Sequence, residues 1–521
     1  MEKIKKHDNL IVFVIIIILM LGNCFNLYIS NSDEMINFLN IYKMANGIEI
    51  YKDINVIITP LFFYIGEYIF NIFGSNVLVF RIYNLILLTI MYLLCYAILK
   101  KLKIRKNLAL MYTLLILMFT NKLGLGGTNY NILSFVFFEL GILSLLKYNN
   151  NEKTKNKYFD KIQKNIDIVQ GLILFLVIFS NHKLGFGYFL GLIVYYLIFS
   201  KKKKEAFTSI SKVILINCML FFIYAIYLYL NNNLYNFINY TILGIIEFGS
   251  KNTHAGIQDV LNTILYIGIW IITIITNIVV KKALKKAKNN NNNEEENNKI
   301  KEYCRNSSIL LIFSISSIVL VIPILNEYHS ILCTIIFLIN IMYSINFLVM
   351  PILEGKKLTK IIIILNLAII LFTGIKSIKD INIYISEMKK IPKESHFYGG
   401  VIEENLENQI KEVTKYIKNQ KENENRDVII LSTYAPIYSI ELNDLKNGVY
   451  DWALRGNLGK DGEEGLINKI KELKNTQILL LDETEDKKEI YQFAYDAKEY
   501  IENNMKYIGK IQNFNIYQTI D

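Results

Sequence analysis

The stretch PLFFYIGEYIFNIF, Pro60–Phe73, decides how the whole chain is threaded. It is apolar, yet only about fourteen residues long, where a membrane-crossing helix needs roughly twenty. A longer apolar run follows almost at once from Val77. If Pro60–Phe73 crosses, the basic cluster Lys100, Lys101, Lys103, Arg105 and Lys106 falls outside. If it only dips into the interface, the cluster falls inside, as the positive-inside rule requires. The second reading is adopted, and every strongly basic loop then lies on the cytoplasmic side: Lys3 with Lys5 and Lys6, Lys100–Lys106, Lys147–Lys164, Lys201–Lys204, Lys281–Arg305, and Lys356 with Lys357 and Lys360. The outward turns carry single lysines such as Lys122, Lys183 and Lys251. The long first loop, with Lys43, Lys52 and Arg81, is the exception, and long loops obey the rule less strictly.

Working outward, the predicted spans are Leu10–Ile29, Val77–Leu99, Leu108–Thr120, Ile132–Leu146, Ile166–Ser180, Leu184–Phe199, Val213–Leu230, Val260–Val280, Ile309–Leu325, Ser330–Val349 and Ile361–Ile375. The fold class is therefore a polytopic α-helical membrane protein of about eleven transmembrane helices. The N-terminus is cytoplasmic. The first outer loop covers residues 30–76, and the part beyond residue 376 is extracytoplasmic.

Composition agrees. The chain has 521 residues, of which 53% are hydrophobic, and carries a net charge of +11; its mean hydropathy of +0.30 sets it apart from soluble chains of this length. The basic excess sits in short loops between apolar runs, so it orients spans and does not form a nucleic-acid patch. Cys24, Cys95, Cys218, Cys304 and Cys333 are scattered, mostly within apolar runs, and form no CxxC pair. They read as packing residues. The first apolar run is too long for a signal-peptide core and is followed by no small-residue cleavage site. The asparagine-rich tract from Asn289 suggests a bacterial, AT-rich source.

Residues 377–521 have the composition of a soluble α/β domain. Ile402, Leu406, Ile410, Val413 and Ile417 repeat at helical spacing, and Leu466, Ile467, Ile470 and Leu473 give a second amphipathic helix. DVIILS (Asp427–Ser432) and QILLLD (Gln477–Asp482) read as buried strands, and Tyr507–Thr519 as a closing hairpin. GNLG at Gly456–Gly459, with Asp461 and Gly462, is either a phosphate-cradling loop or a surface loop needing positive φ at glycine. It matches no nucleotide-binding fingerprint.

The polar residues at the outer ends of spans are the candidates for chemistry. Asp33 and Glu34 follow the first span and open a helix with the apolar face Met35, Phe38, Leu39, Tyr42, predicted to lie in the interface. Asp33 either caps that helix or serves as an acid facing both water and headgroups. Asn129, Tyr130 and Asn131 enter the fourth span. Asn181, His182 and Lys183 form a tight outer turn, where Lys183 either snorkels or meets a phosphate together with His182. Glu327, Tyr328 and His329 begin the tenth span, as an ordinary polar helix start or as a functional group at a span mouth. Glu67 and Glu139, inside apolar segments, rank below these. Asp33, Glu34, Glu327 and His329 suffice in number for a divalent metal, but they come from separate segments and their spacing supports no metal site.

The order of features in the first hundred residues resembles a known family. A first span leads to Asp33-Glu34, then to a helix ending NGIEIYKD (Asn46–Asp53), then to TPLFFY (Thr59–Tyr64) and FGSNVLVFRIYN (Phe73–Asn84). This is similar to the GT-C glycosyltransferases of the protein mannosyltransferase and aminoarabinose transferase type in bacteria. NYN, NHKLG and NEYH fit that pattern more loosely, as do GNLG and the late IYQT. The resemblance implies a GT-C-like domain over residues 1–376 and an outer-face transferase that takes a sugar from a polyprenyl phosphate. It casts Asp33, seconded by Glu34, as catalytic base. In the aminoarabinose branch a Glu and a Lys flank the proline segment, whereas here Ile58 and Thr59 precede a single Pro60, so that branch's phosphate contacts do not carry over. Lys183 or Arg81 would replace them.

The expected function is therefore a glycosyltransferase of the bacterial cell membrane. It moves a sugar from a polyprenyl-phosphate donor to a lipid, glycan or protein acceptor of the envelope by an inverting step. Catalytic candidates are Asp33 and Glu34. Substrate-binding candidates are Arg81, Asn129, Tyr130, Asn131, His182, Lys183, Glu327 and His329. No cofactor is implied. The competing class is a transporter or lipid flippase for envelope glycans, which would place coupling residues near mid-membrane and often show repeated halves. Neither is found in the sequence.

Overall fold

A computed structural model describes residues 2–25, 28–29, 32–125, 127–149, 165–251, 257–289, 294–322, 325–349, 356–445, 453, 455–481 and 494–520. The basic stretch 150–164, the asparagine tract at 290–293 and the strand end Asp482 lie outside the described residues. The helices are α1 (Glu2–Phe25), α2 (Ser32–Ala45), α3 (Leu61–Phe73), α4 (Val77–Lys101), α5 (Lys106–Phe119), α6 (Lys122–Leu125), α7 (Tyr130–Asn149), α8 (Ile166–Ser180), α9 (His182–Phe199), α10 (Lys203–Leu230), α11 (Leu234–Ile238), α12 (Gly244–Lys251), α13 (Ile257–Asn289), α14 (Glu294–Ser317), α15 (Glu327–Val349) and α16 (Lys356–Met388).

Eight of the described helices (α4, α7, α9, α10, α13, α14, α15 and α16) are long and apolar enough to cross a membrane. Helices α1, α5 and α8 contain shorter apolar stretches. Each predicted span falls on one of these helices, and α3, at 13 residues, is the segment read as too short to cross. Helices α10 and α16 leave Leu215, Met219, Phe222, Leu367, Leu371 and Ile375 exposed. Such an apolar surface needs lipid as its solvent, because a helix satisfies its own backbone groups there.

Without a hydrophobic drive between helices in lipid, close approach and hydrogen bonds hold the bundle together. Gly22 on α1 shows this. A Cβ there would lie 2.9 Å from Ser377 Cα on α16. The bare glycine lets its N–H reach Ser377 Oγ (3.1 Å), while that hydroxyl donates to Ile18 O (2.7 Å).

The two ends of the bundle differ. At one end Lys103 pairs with Glu302 (2.7 Å), beside the basic turn that ends α4, and Asn366 Nδ2 donates to Asn107 O (2.9 Å). At the other end α1 finishes, α4 begins, and the C-terminal domain is attached. Ile29 N donates to Val401 O (3.0 Å), Val77 N to His396 O (2.9 Å), and Tyr42 Oη to Asn443 Oδ1 (2.6 Å).

That domain contains α17 (Glu404–Asn423), β1 (Asp427–Leu431), α18 (Ala435–Leu442), α19 (Gly462–Lys471), β2 (Thr476–Leu481), α20 (Tyr495–Asn504), β3 (Lys506–Ile511) and β4 (Phe514–Gln518). The sheet order is β1-β2-β4-β3. β1 and β2 pair in parallel, with Val428 opposite Gln477, and the β3–β4 hairpin adds antiparallel strands. Ile410, Val413 and Ile417 of α17 are buried, as are Leu466 and Ile470 of α19, so both predicted amphipathic faces point inward.

Helix α2 departs from expectation. Met35, Ile36, Phe38, Leu39, Ile41, Tyr42 and Met44 are buried, and so are Asn37, Asn40 and Lys43. It is enclosed by protein on all sides and presents no apolar face to an interface. Its polar residues find partners inside the fold: Asn37 Nδ2 donates to Thr128 O (3.3 Å).

Candidate active site

The two adjacent acids at the start of α2 have opposite environments. Glu34 is fully buried and forms a two-point pair with Arg81 of α4: Nη2 to Oε2 at 2.9 Å and Nε to Oε1 at 3.3 Å. Arg81 Nη1 also donates to Phe25 O and Gly399 O, both at 3.1 Å. One guanidinium thus ties together the end of α1, the start of α2, the first turn of α4 and the segment entering the C-terminal domain. Gly127 closes over the pair with φ +72°, where a Cβ would sit 2.7 Å from Glu34 Cβ. Breaking one partner of such a buried pair costs about 3–5 kcal/mol. The expected roles of Glu34 as base and Arg81 as phosphate contact meet a physical obstacle here, since each group is spent on the other and on holding this end of the bundle together.

Asp33, one residue earlier, keeps its side chain reachable by water and has no hydrogen bond or ion pair among the described residues. Surrounding protein nevertheless pushes its carboxyl above the ordinary carboxylate range by removing solvent around it. Asp33 is thus exposed to solvent on one side and closely surrounded by protein on the others. Tyr130 and Tyr328 lie within electrostatic range of it. Asp33 lies inside the first turn of α2 and not ahead of it, and among the described residues it caps no backbone N–H.

The three asparagines are brought together. Asn129 Oδ1 accepts from Asn131 N (2.8 Å) and Asn131 Nδ2 (2.7 Å), and Asn131 Oδ1 accepts from Asn181 Nδ2 (2.6 Å). Asn181 caps α9, its Oδ1 accepting from Lys183 N (2.9 Å) and Leu184 N (3.2 Å). The polar atoms of these asparagines are used to join the mouths of α7 and α9. They position the turn that follows. In that turn, both ring nitrogens of His182 are enclosed without a partner among the described residues. The Lys183 ammonium likewise makes no ion pair or side-chain hydrogen bond among them.

At the tenth predicted span the carboxylate of Glu327 is taken by Lys122 Nζ (2.6 Å) and Tyr266 Oη (3.0 Å), which leaves little of it for substrate. His329 has its backbone N–H capped by Asn326 Oδ1 (2.8 Å). Tyr328, between them, has its hydroxyl enclosed and unpartnered among the described residues, and Tyr83 on α4 is in the same state. Sequence reasoning named Tyr328 only as a member of the Glu327–His329 cluster, without a role of its own, and did not select Tyr83. The only signal for Tyr328 was its place in the NEYH motif, and nothing marked Tyr83. Glu139 of α7 lies deeper in the bundle, accepting from Cys95 Sγ at 3.0 Å. Among the described residues no three His, Cys, Asp or Glu side chains cluster as metal ligands.

Fold and site together define a polytopic membrane protein whose helical bundle carries an acid at the head of its first loop helix and a small α/β domain at one end. Two solved structures share this fold. One is ArnT from Cupriavidus metallidurans in the apo state, with TM-score 0.54, 9% identity, and coverage of 98% of this chain and 97% of that one. The other is the Archaeoglobus fulgidus oligosaccharyltransferase tethered to an acceptor peptide containing an NVT sequon, with TM-score 0.55, 12% identity, and coverage of 100% of this chain and 75% of that one. No family model matches the sequence, and no curated protein does. The resemblance read from the first hundred residues therefore holds at the level of the fold.

Proposed function

We propose that this chain is a membrane glycosyltransferase that moves a sugar from a polyprenyl-phosphate donor to an envelope acceptor, on the extracytoplasmic face, with inversion. The observation that supports it best is Asp33: an exposed carboxylate at the head of the first loop helix, with no hydrogen bond or ion pair among the described residues. Nucleotide sugars are cytoplasmic, so a site facing away from the cytoplasm requires a donor carried by lipid. The acceptor hydroxyl or amine attacks the anomeric carbon as the bond from that carbon to the phosphate oxygen breaks. Asp33 takes the acceptor proton, acting as a general base within hydrogen-bond reach. The bonding pair leaves with polyprenyl phosphate, whose charge Lys183 and His182 stabilise at the start of α9, where the helix N-terminus also favours an anion. Tyr130 and Tyr328 flank the base and suit the sugar hydroxyls. The Asn129–Asn131–Asn181 chain holds Lys183 in position.

The test uses the purified chain in lipid nanodiscs with a series of polyprenyl-phosphate sugars and isolated envelope acceptors. Release of polyprenyl phosphate that depends on acceptor, and is lost in Asp33→Asn with folding intact, is the expected result. Near-normal turnover by Asp33→Asn removes the base assignment. Movement of the lipid across the bilayer without bond cleavage would instead make the chain a flippase.

A further inference from the structure

A cavity whose lining does not include Asp33 lies where the C-terminal domain meets the helices that follow α10. It has a volume of about 380 Å³ and is lined by Asn239, Tyr240, Asp461, Glu464, Asn468 and Lys469, with Leu458, Gly465 and Leu466. One wall is a π-helical turn, Asn239–Leu243, a rare local form frequently found at functional sites. The other wall is one face of α19: positions 461, 464, 465, 468 and 469 follow helical spacing, while Leu466 and Ile470 go to the domain core.

Apart from Asn239, whose Oδ1 accepts from the backbone, the polar groups of this cavity are not spent on the fold among the described residues. Asp461 stands at the N-cap position of α19 yet makes no cap hydrogen bond. Among the described residues the side chains of Glu464, Asn468 and Lys469 have no hydrogen bond or ion pair. The walls are held by other contacts. Lys460 N donates to Asn239 Oδ1 (2.9 Å), and Gly459, at φ +77°, sits where a Cβ would lie 2.9 Å from Asn239 Nδ2. Gly459 of GNLG therefore serves close docking of this loop on the bundle. The same loop grips the segment after α2, Asn457 O accepting from Asn55 Nδ2 (3.0 Å) and Asn457 Oδ1 from Ile57 N (3.2 Å).

We propose that this cavity is a carbohydrate-binding subsite. On the transferase reading, on which this role rests, it holds the glycan part of the acceptor. Two carboxylates, the Asn468 amide and an ammonium offer both acceptors and donors to hydroxyls that need both at once. Tyr240 supplies an apolar surface for the C–H face of a sugar ring. With two acids and one lysine the lining is net negative, which disfavours a phosphate, and it lacks the third acidic or imidazole ligand of a cation cage. The volume falls low in the roughly 300–1,000 Å³ range of small-molecule sites, fitting one or two sugar rings.

The experiment is saturation-transfer-difference NMR on the full chain in nanodiscs with maltose, chitobiose and mannobiose as probes. The variants are Glu464→Gln/Asn468→Ala, both exposed side chains on α19, and Asp33→Asn. Expected are signal transfer to at least one disaccharide, binding about tenfold weaker in the α19 double variant, and unchanged binding in Asp33→Asn. No transfer to any disaccharide, or equal binding by the α19 variant, overturns the proposal. Binding lost in the α19 variant from a chain that never releases polyprenyl phosphate sustains the carbohydrate site and sinks the transferase reading. Release of polyprenyl phosphate without disaccharide binding does the reverse.

Discussion

Replacing each of the two adjacent acids by its amide should separate them completely. In Glu34→Gln the Arg81 guanidinium stays buried, with both side chains of the native pair at 0% exposure, but loses its counter-charge. The cost for stranding one member of such a pair is about 3–5 kcal/mol. The amide oxygen still accepts one hydrogen bond, which places the expected loss at the lower end of that range. Arg81→Met is worse, because it also strips donors from Phe25 O and Gly399 O, each worth about 1–3 kcal/mol when left unsatisfied. The double variant Glu34→Met/Arg81→Met leaves no lone charge and should lose less than the sum of the single variants. Asp33→Asn, by contrast, removes a carboxylate that makes no hydrogen bond or ion pair among the described residues and should leave stability unchanged or slightly raised.

The assay is the apparent melting midpoint in detergent at one scan rate, since such unfolding is commonly irreversible, run beside polyprenyl phosphate release. Glu34→Gln should melt roughly 5 °C or more below the parent while its surviving folded fraction retains measurable turnover. Asp33→Asn should melt with the parent and show none. A Glu34→Gln protein that melts like the parent but is inactive, together with an active Asp33→Asn, would move the base to Glu34 and refute the reasoning from burial.

Because protein around Asp33 holds its carboxyl above the ordinary value, transfer should decline on acidification at a pH higher than the ~3.9 of an unperturbed aspartate, and a kcat/KM profile in Asp33-containing and Asp33→Glu proteins would locate that limb. The stability sign runs the other way: the fold binds that proton more tightly than the unfolded chain, so the contribution is favourable at low pH and is lost as pH rises through the folded-state value, and Asp33→Asn should remove this dependence from the melting curve. Lys183→Ala should raise KM for the lipid donor about tenfold or more with little effect on melting, because the ammonium holds nothing else in the fold among the described residues; an unchanged KM would exclude it from the phosphate site. Asn181→Ala removes a cap worth about 1 kcal/mol and loosens the turn carrying Lys183, so kcat/KM should fall further than stability does. Gly22→Val should lower the midpoint, since its Cβ would collide with backbone at Ser377 and overpacking costs about 1–3 kcal/mol.

What the sequence discloses here follows from which forces are local. Span positions were legible because lipid demands long apolar runs and the loops between them carry the charge, and each predicted span found its helix. The α/β domain was legible through the same kind of signal, strand runs at 427–432 and 477–482 and helical spacing at 402–417. The fate of α2 was not. Its sequence alternates apolar residues with Asn37, Asn40 and Lys43 as an interfacial helix would, and only the packing of α3, of Thr128 and of the C-terminal domain against it buries both faces. The Glu34–Arg81 pair was illegible for the same reason, its partners standing 47 positions apart. Asp33 and Glu34 are neighbours of the same chemistry, so no local pattern could assign one to structure and the other to function. A helix turns about 100° per residue, and that rotation aims Glu34 at α4 and leaves Asp33 exposed. On the proposed function, the distinction between a structural acid and a reactive one is set by the direction of one turn of α2, and it becomes visible only when the segments it faces are in place.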